Sequence, residues 1–220
     1  MRKIRFQKGI QNETRLFPWG GQPRCIGVVF IENRNGNSNV KFKQAETLQA
    51  AYEMLESKNI SIDRSRMDCG SFTKEIIETV EAYCKRFYIR GQRCGELSNR
   101  VKEVKEWETA RIGLFDVEVC SIDYKPFGGE KTYRYVVSRQ KNNTGQTDAF
   151  FGDDFTYRAI ATNDLAFTNK GIMEYYNQRG AAEKIFDEMN NDFGWKGLFF
   201  FFTGKYSAYD LDQLFEKISI

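Results

Sequence analysis

The chain has 220 residues, of which 41% are hydrophobic and 29% charged, and a formal net charge of +3. This composition describes a folded chain with a polar surface, and the charge permits a nucleic-acid partner without demanding one. It contains no histidine, which excludes histidine acid–base catalysis, Ser–His and Cys–His nucleophiles and histidine-ligated zinc.

In chain order, residues 1–24 form a basic and then polar arm with no visible period. Residues 25–31 read as a strand, and the Asn- and Gly-rich turn after it leads to a returning strand at 39–42. Residues 44–57 read as a helix with Leu48, Ala51, Tyr52 and Leu55 inward. The segment ISIDRSRMD predicts a short strand ending at Asp68, with a turn at 69–71. Thr73 is placed to cap a helix over 74–86, whose Ile76, Ile77, Val80, Tyr83 and Cys84 face inward. A strand follows at 86–90. This alternation predicts an α/β unit, in which ligands favour the carboxyl ends of strands.

Residues 96–109 are charged and marginally helical. Strands are predicted at 114–122, 131–139 and 155–162, with a turn at 127–130 and a loop at 141–146. The pattern suggests an antiparallel β insertion between two parts of an α/β core. The predicted divisions are a core segment at 25–104, an insertion at 105–154, a returning core at 155–196 and a divergent tail at 197–220. A helix is expected over 172–190, and a short one near the end at 208–217.

On the 172–190 helix, Tyr176, Arg179, Glu183, Phe186 and Asn190 share one side. Two readings of that stripe stand: an ordinary amphipathic helix, or one that aims Glu183 into a site with Arg179 orienting it. Asp68, at a strand end, is the candidate partner. Two such carboxylates could converge on Mg²⁺, a hard cation that takes oxygen ligands and keeps several waters. They could equally be ordinary caps and surface charges. A third acidic ligand is not fixed by spacing, with Asp63, Asp116, Asp123, Asp153, Asp154 and Asp164 all present. Arg139, Lys141, Arg158, Lys170, Arg179, Lys184 and Lys196 are available for phosphate contacts. The five cysteines show no C-x-x-C pair, no signal peptide is visible and no run reaches membrane-spanning length. The cysteines therefore read as reduced and the protein as cytoplasmic.

Four segments carry a resemblance. IENRNGNSNVKFKQAETL (31–48), SRMDCGSFTKEIIETVEAYCKRFYIR (65–90), FTYRAIATND (155–164) and YYNQRGAAEKIFDEMNNDFGW (175–195) occur in the order found in one family. The chain resembles the C-terminal two-thirds of a bacterial cut-and-paste DDE transposase of the insertion-sequence type common in Bacteroides-like bacteria. The resemblance implies an RNase-H-like core interrupted by a β insertion. It implies Asp68 and Glu183 as catalytic, metal-holding residues, with Mg²⁺ or Mn²⁺ as cofactor.

Tyr176, Arg179 and Glu183 match the family's Y-x2-R-x3-E signature, and Asn190 stands where its final lysine belongs. Tyr176, Arg179, Lys184 and Arg139 are the expected DNA contacts, and Asn163 and Asp164 match a TND segment expected to support the site. The implied partners are double-stranded DNA, as terminal repeats and as target, with a homo-oligomer left open and a nucleoid-associated location. The family's first catalytic aspartate has no match ahead of Glu32, and the sequence after Trp195 diverges. An N-terminally truncated, catalytically impaired copy is therefore expected, with a core sheet edge exposed to aggregation. The alternative is a non-catalytic DNA-binding or dimerising fragment that interferes with a full-length relative.

Overall fold

The structure is a computed structural model and describes residues 43–142 and 151–179. The expected basic arm, the strands at 25–31 and 39–42, most of the 141–146 loop and everything from residue 180 onward lie outside those residues. Glu183, Lys184 and Asn190 are among them.

Helix α1 spans Gln44–Ser57 and buries Ala51, Tyr52 and Leu55 along one stripe. Strand β1 (Ile62–Met67) follows, and its buried Ser65 accepts a 3.2 Å hydrogen bond from the Tyr52 hydroxyl. Helix α2 (Lys74–Tyr83) begins at Thr73, whose side chain accepts from the Ile76 amide at 3.3 Å. Its Ile76, Ile77 and Val80 are fully buried, each worth about 2 kcal/mol of transfer free energy.

Strand β2 (Cys84–Arg90) starts with no intervening loop: Cys84 is at once the cap of α2 and the first extended residue. The helix therefore ends at Tyr83, not at 86 as the sequence pattern suggested. The cause is the demand of the sheet. Phe87 and Ile89 bury on one face and Tyr88 on the other, a period of two that no helix can satisfy.

Helix α3 (Gly95–Lys102) and strand β3 (Glu108–Ile112) replace the single charged helical stretch expected over 96–109. Leu97 and Val101 pin α3, whereas Ala110 and Ile112 alternate with exposed Thr109 and Arg111 in β3. Strand β4 (Phe115–Tyr124), a short 3₁₀ turn at Pro126–Gly128, β5 (Tyr133–Lys141) and β6 (Phe155–Thr162) follow. Helix α4 (Asn169–Asn177) begins three residues before the expected start, because the Thr168 side chain accepts from the Gly171 amide at 3.1 Å and caps it.

The six strands form one sheet in the order β1-β2-β6-β5-β4-β3. Only β1 and β2 run parallel, with Met67 beside Ile89, and every other neighbouring pair is antiparallel. Strand β6 pairs with both β2 and β5, so the β-rich half and the α/β half share one hydrogen-bonded sheet. Helices α1, α2 and α3 pack on one face, over Phe87, Tyr135, Val137 and Ala161. Helix α4 packs on the other, where Ile172 and Met173 meet Tyr88, Val136 and Ile160. Gly91, just past β2, leaves room for the Tyr135 ring, which a Cβ there would meet at 3.0 Å. Among the described residues no helix is long and apolar enough to cross a membrane.

Candidate active site

Asp68 is the first residue after β1. Its backbone is extended, with φ −79° and ψ 177°, and its carbonyl accepts from Ser71 at 3.1 Å to start the turn at Cys69–Ser71. The half-buried Asp68 thus stands at the strand's carboxyl end, where the turn begins. The Ser71 hydroxyl reaches one carboxylate oxygen at 3.4 Å and itself accepts from the Gln44 amide nitrogen at 2.7 Å. Because Met67 lies beside Ile89 in the parallel register, Asp68 and Arg90 leave the sheet side by side.

Helix α4 brings the second part of the site from far along the chain. The buried Tyr176 donates its hydroxyl to the Met67 carbonyl at 3.0 Å, one residue before Asp68. Burial pushes the Tyr176 phenol up, the nearby Arg179 and Arg90 guanidinia oppose this, and Asp68 adds to it. Asp68, Arg90 and Arg179 thus all bear electrostatically on one hydroxyl. The Arg179 guanidinium sits 6.0 Å from the Tyr176 ring centre. Three of the sequence-derived site residues, Asp68, Tyr176 and Arg179, therefore meet at one end of the sheet. Glu183 and Lys184 lie outside the described residues.

Asn163 and Asp164 stand elsewhere, past the end of β6 and toward the amino end of β2. The Asn163 side chain accepts from the Phe87 amide at 3.0 Å and donates to the Lys85 carbonyl at 3.2 Å, which continues the β2–β6 ladder by one rung. Asp164 is 4% exposed. It accepts from the Tyr88 hydroxyl at 2.6 Å and from the Ala166 and Phe167 amides at 3.0 and 3.1 Å, and Arg86 lies 3.6 Å away. Burial alone would push the Asp164 carboxyl up, but these donors outweigh it and hold it below the usual range.

Arg134, which sequence reasoning did not single out, ties this corner to the start of α4. It donates to the Asp164 and Phe167 carbonyls, to Asn169 and to Ser121, all within 3.0 Å. Its partners are 13 to 35 residues away in sequence, so no local pattern could reveal it.

Arg139 is engaged on the sheet's other flank. It makes a 2.6 Å ion pair with Glu118 and lies 4.1 Å over the Trp107 ring and 4.8 Å over Phe155. Desolvation pulls its pKa down, but the Glu118 and Tyr157 partners reverse this and leave it raised. Of the other acids considered as a third ligand, Asp63 pairs with Arg64, Lys85 and Arg86, and Asp153 accepts the Tyr157 hydroxyl at 2.6 Å. Among the described residues no cluster of three acidic, histidine or cysteine side chains is placed to hold a metal ion. Asp68 offers a half-buried hard oxygen of the kind that suits Mg²⁺ or Mn²⁺. The donor fits in kind, and completing a site requires at least one further carboxylate.

These features define a mixed α/β protein that gathers a carboxylate and several arginines at the carboxyl ends of two parallel strands. The chain belongs to the transposase DDE domain family, whose family model matches residues 24–198. The match covers every described residue. A comparison with curated proteins found no match.

Proposed function

We propose that the chain is built on the RNase-H-like core of an insertion-sequence transposase, with Asp68 and Glu183 as the carboxylates that hold Mg²⁺ or Mn²⁺. Family membership makes it a transposase by ancestry. The observation that carries the finer reading is the hydrogen bond from Tyr176 to the Met67 carbonyl. It binds α4, which carries Tyr176 and leads into Arg179, to the strand that ends one residue before Asp68.

In this reading Arg179 and Lys184 engage the phosphates of double-stranded DNA, at terminal repeats and at target, and the protein works at the nucleoid; Tyr176, expected to join them, is buried with its hydroxyl on the Met67 carbonyl. Arg139 joins them only by giving up part of its pairing with Glu118. When bound, the divalent cation stabilises charge on the entering and leaving oxygens of phosphoryl transfer. Asp68 supplies a ligand, and the arginines around it offset the charge of the incoming phosphodiester. Tyr176 keeps its proton on its own oxygen, donated to Met67, and acts by position. The Asn163 and Asp164 corner supports the site by holding β2, β6 and the start of α4 together.

In this reading Asp68 and Glu183 are two of the three carboxylates that such a site uses, and a chain that lacks the third cleaves strands weakly. The test is a cleavage assay on DNA carrying the element's ends, with Mg²⁺. Robust cleavage that disappears in Asp68→Ala would overturn the impairment and keep the site. Cleavage indifferent to that substitution would overturn the site.

A second reading is supported by one observation. Among the described residues β1 has a neighbour on one side only, and an open edge is a template for pairing with another chain. A DNA-binding or dimerising protein that interferes with a full-length relative fits that edge. Sedimentation over a range of concentrations distinguishes the two, a concentration-independent monomer counting against the dimer.

A further inference from the structure

Helix α4 does not end on its own terms. The Arg179 amide, which in a continued α-helix would donate to Tyr175, donates to the Tyr176 carbonyl at 3.0 Å. The ladder tightens from four residues to three at this point. The Tyr175 carbonyl accepts instead from the Arg66 guanidinium, which comes from β1, 109 residues earlier. A cation placed on a last-turn carbonyl is favoured both by the hydrogen bond and by the negative end of the helix dipole.

The same guanidinium lies 4.5 Å from the centre of the Tyr175 ring, and Arg64, two residues back on β1, lies 5.4 Å from it. Tyr88 packs against that ring at 4.7 Å. Tyr175 is therefore held between an aromatic ring on β2 and two arginines on β1. Arg66 is also two residues before Asp68, which follows the last residue of β1. One short segment, 66–68, thus holds α4 through Arg66 and the Met67 carbonyl and ends in the site's carboxylate.

We infer that Arg66 is a positioning residue: it fixes the turn carrying Tyr176 and Arg179 against Asp68, and so fixes the geometry in which Asp68 meets a divalent cation. The planar fork matters, because it must donate to a carbonyl and stack on a ring together. A lysine can do only one of these well. The inference rests on the proposed cation site, and the test separates the two.

The probe is Mn²⁺ alone, titrated into the 220-residue chain and followed by the electron paramagnetic resonance of the free ion. Arg66→Met is expected to weaken Mn²⁺ binding about tenfold. A role through charge alone gives the opposite sign, since removing a cation beside the site tightens binding. Arg66→Lys keeps the charge and the fold and is expected to fall between the two, about threefold weaker than wild type. It carries the test if Arg66→Met fails to fold. Wild-type affinity in a folded Arg66→Lys and Arg66→Met, or tighter binding in Arg66→Met, overturns the inference. If wild type and Asp68→Asn bind Mn²⁺ alike, the cation site itself is wrong, and with it this role for Arg66.

Discussion

Two aspartates close two strands of the same sheet, and the protein treats them differently. Asp164, past the end of β6, is shut from solvent and takes a phenol, two backbone amides and a nearby guanidinium. Asp68, past the end of β1, stays half-buried beside Arg90. A carboxylate whose oxygens are filled by protein donors is committed to the fold. One that keeps contact with solvent can exchange water for a ligand. Both positions read as strand-end acids in the sequence, so the distinction comes from what the rest of the chain brings to each.

The largest effect expected is on Asp164. Asp164→Ala strands the Tyr88 hydroxyl and two backbone amides in a buried corner and should cost about 3 kcal/mol, read as a lower urea midpoint. A midpoint within error of wild type would break the contrast outright. Arg134→Met comes next, at about 2 kcal/mol, because it releases donors that tie β5 to the loop before α4. In the same measurement Arg134→Lys should recover only part of this loss.

The pH dependence of Asp164 sharpens the contrast. Its carboxyl is held below the ordinary value of 3.8 in the fold, donors outweighing burial. A depressed folded value contributes stability that is complete above the unfolded value and fades as pH falls through the folded one. The stability gap between wild type and Asp164→Asn should therefore be flat from neutral pH to about 5 and narrow below about 4. A gap that widens on acidification would show that the donors do not favour the charged form. The smallest expected effect on stability is that of Asp68→Asn, under about 1 kcal/mol, accompanied by loss of specific Mn²⁺ binding. A large loss of stability there would place Asp68 with Asp164 as a structural acid.

Local signals in the sequence located most elements. The apolar spacing in 44–57 and the Thr73 cap placed α1 and the start of α2, and the alternation in 155–162 placed β6 to the residue. Failures came where tertiary demand overrode local pattern. Cys84, Lys85 and Arg86 continue a helical period yet extend, because Phe87, Tyr88 and Ile89 must fill both faces of the sheet. Residues 108 and 109 fall in the charged helical stretch expected over 96–109, but pairing with β4 makes 108–112 a strand.

At the candidate site, where the expected stripe from Glu183 onward lies outside the described residues, the strand-end position of Asp68 was legible. The clamp of Arg66 on Tyr175, the four-way use of Arg134 and the side-chain rung made by Asn163 were not. Each joins residues that are remote in the chain, and one sequence carries no mark of such a pairing.

The direct passage from α2 into β2 constrains how the chain can change in length. With Cys84 serving both elements, one inserted residue between Tyr83 and Cys84 has no loop to absorb it. It would have to bulge out of the strand, or slip β2 along β1 and β6 and turn Tyr88 and Ile89 to the wrong faces. Tolerance for tags or split points belongs instead at the exposed turn after Pro126, where Gly128 already adopts φ +62° and a Cβ would meet nothing within 4 Å.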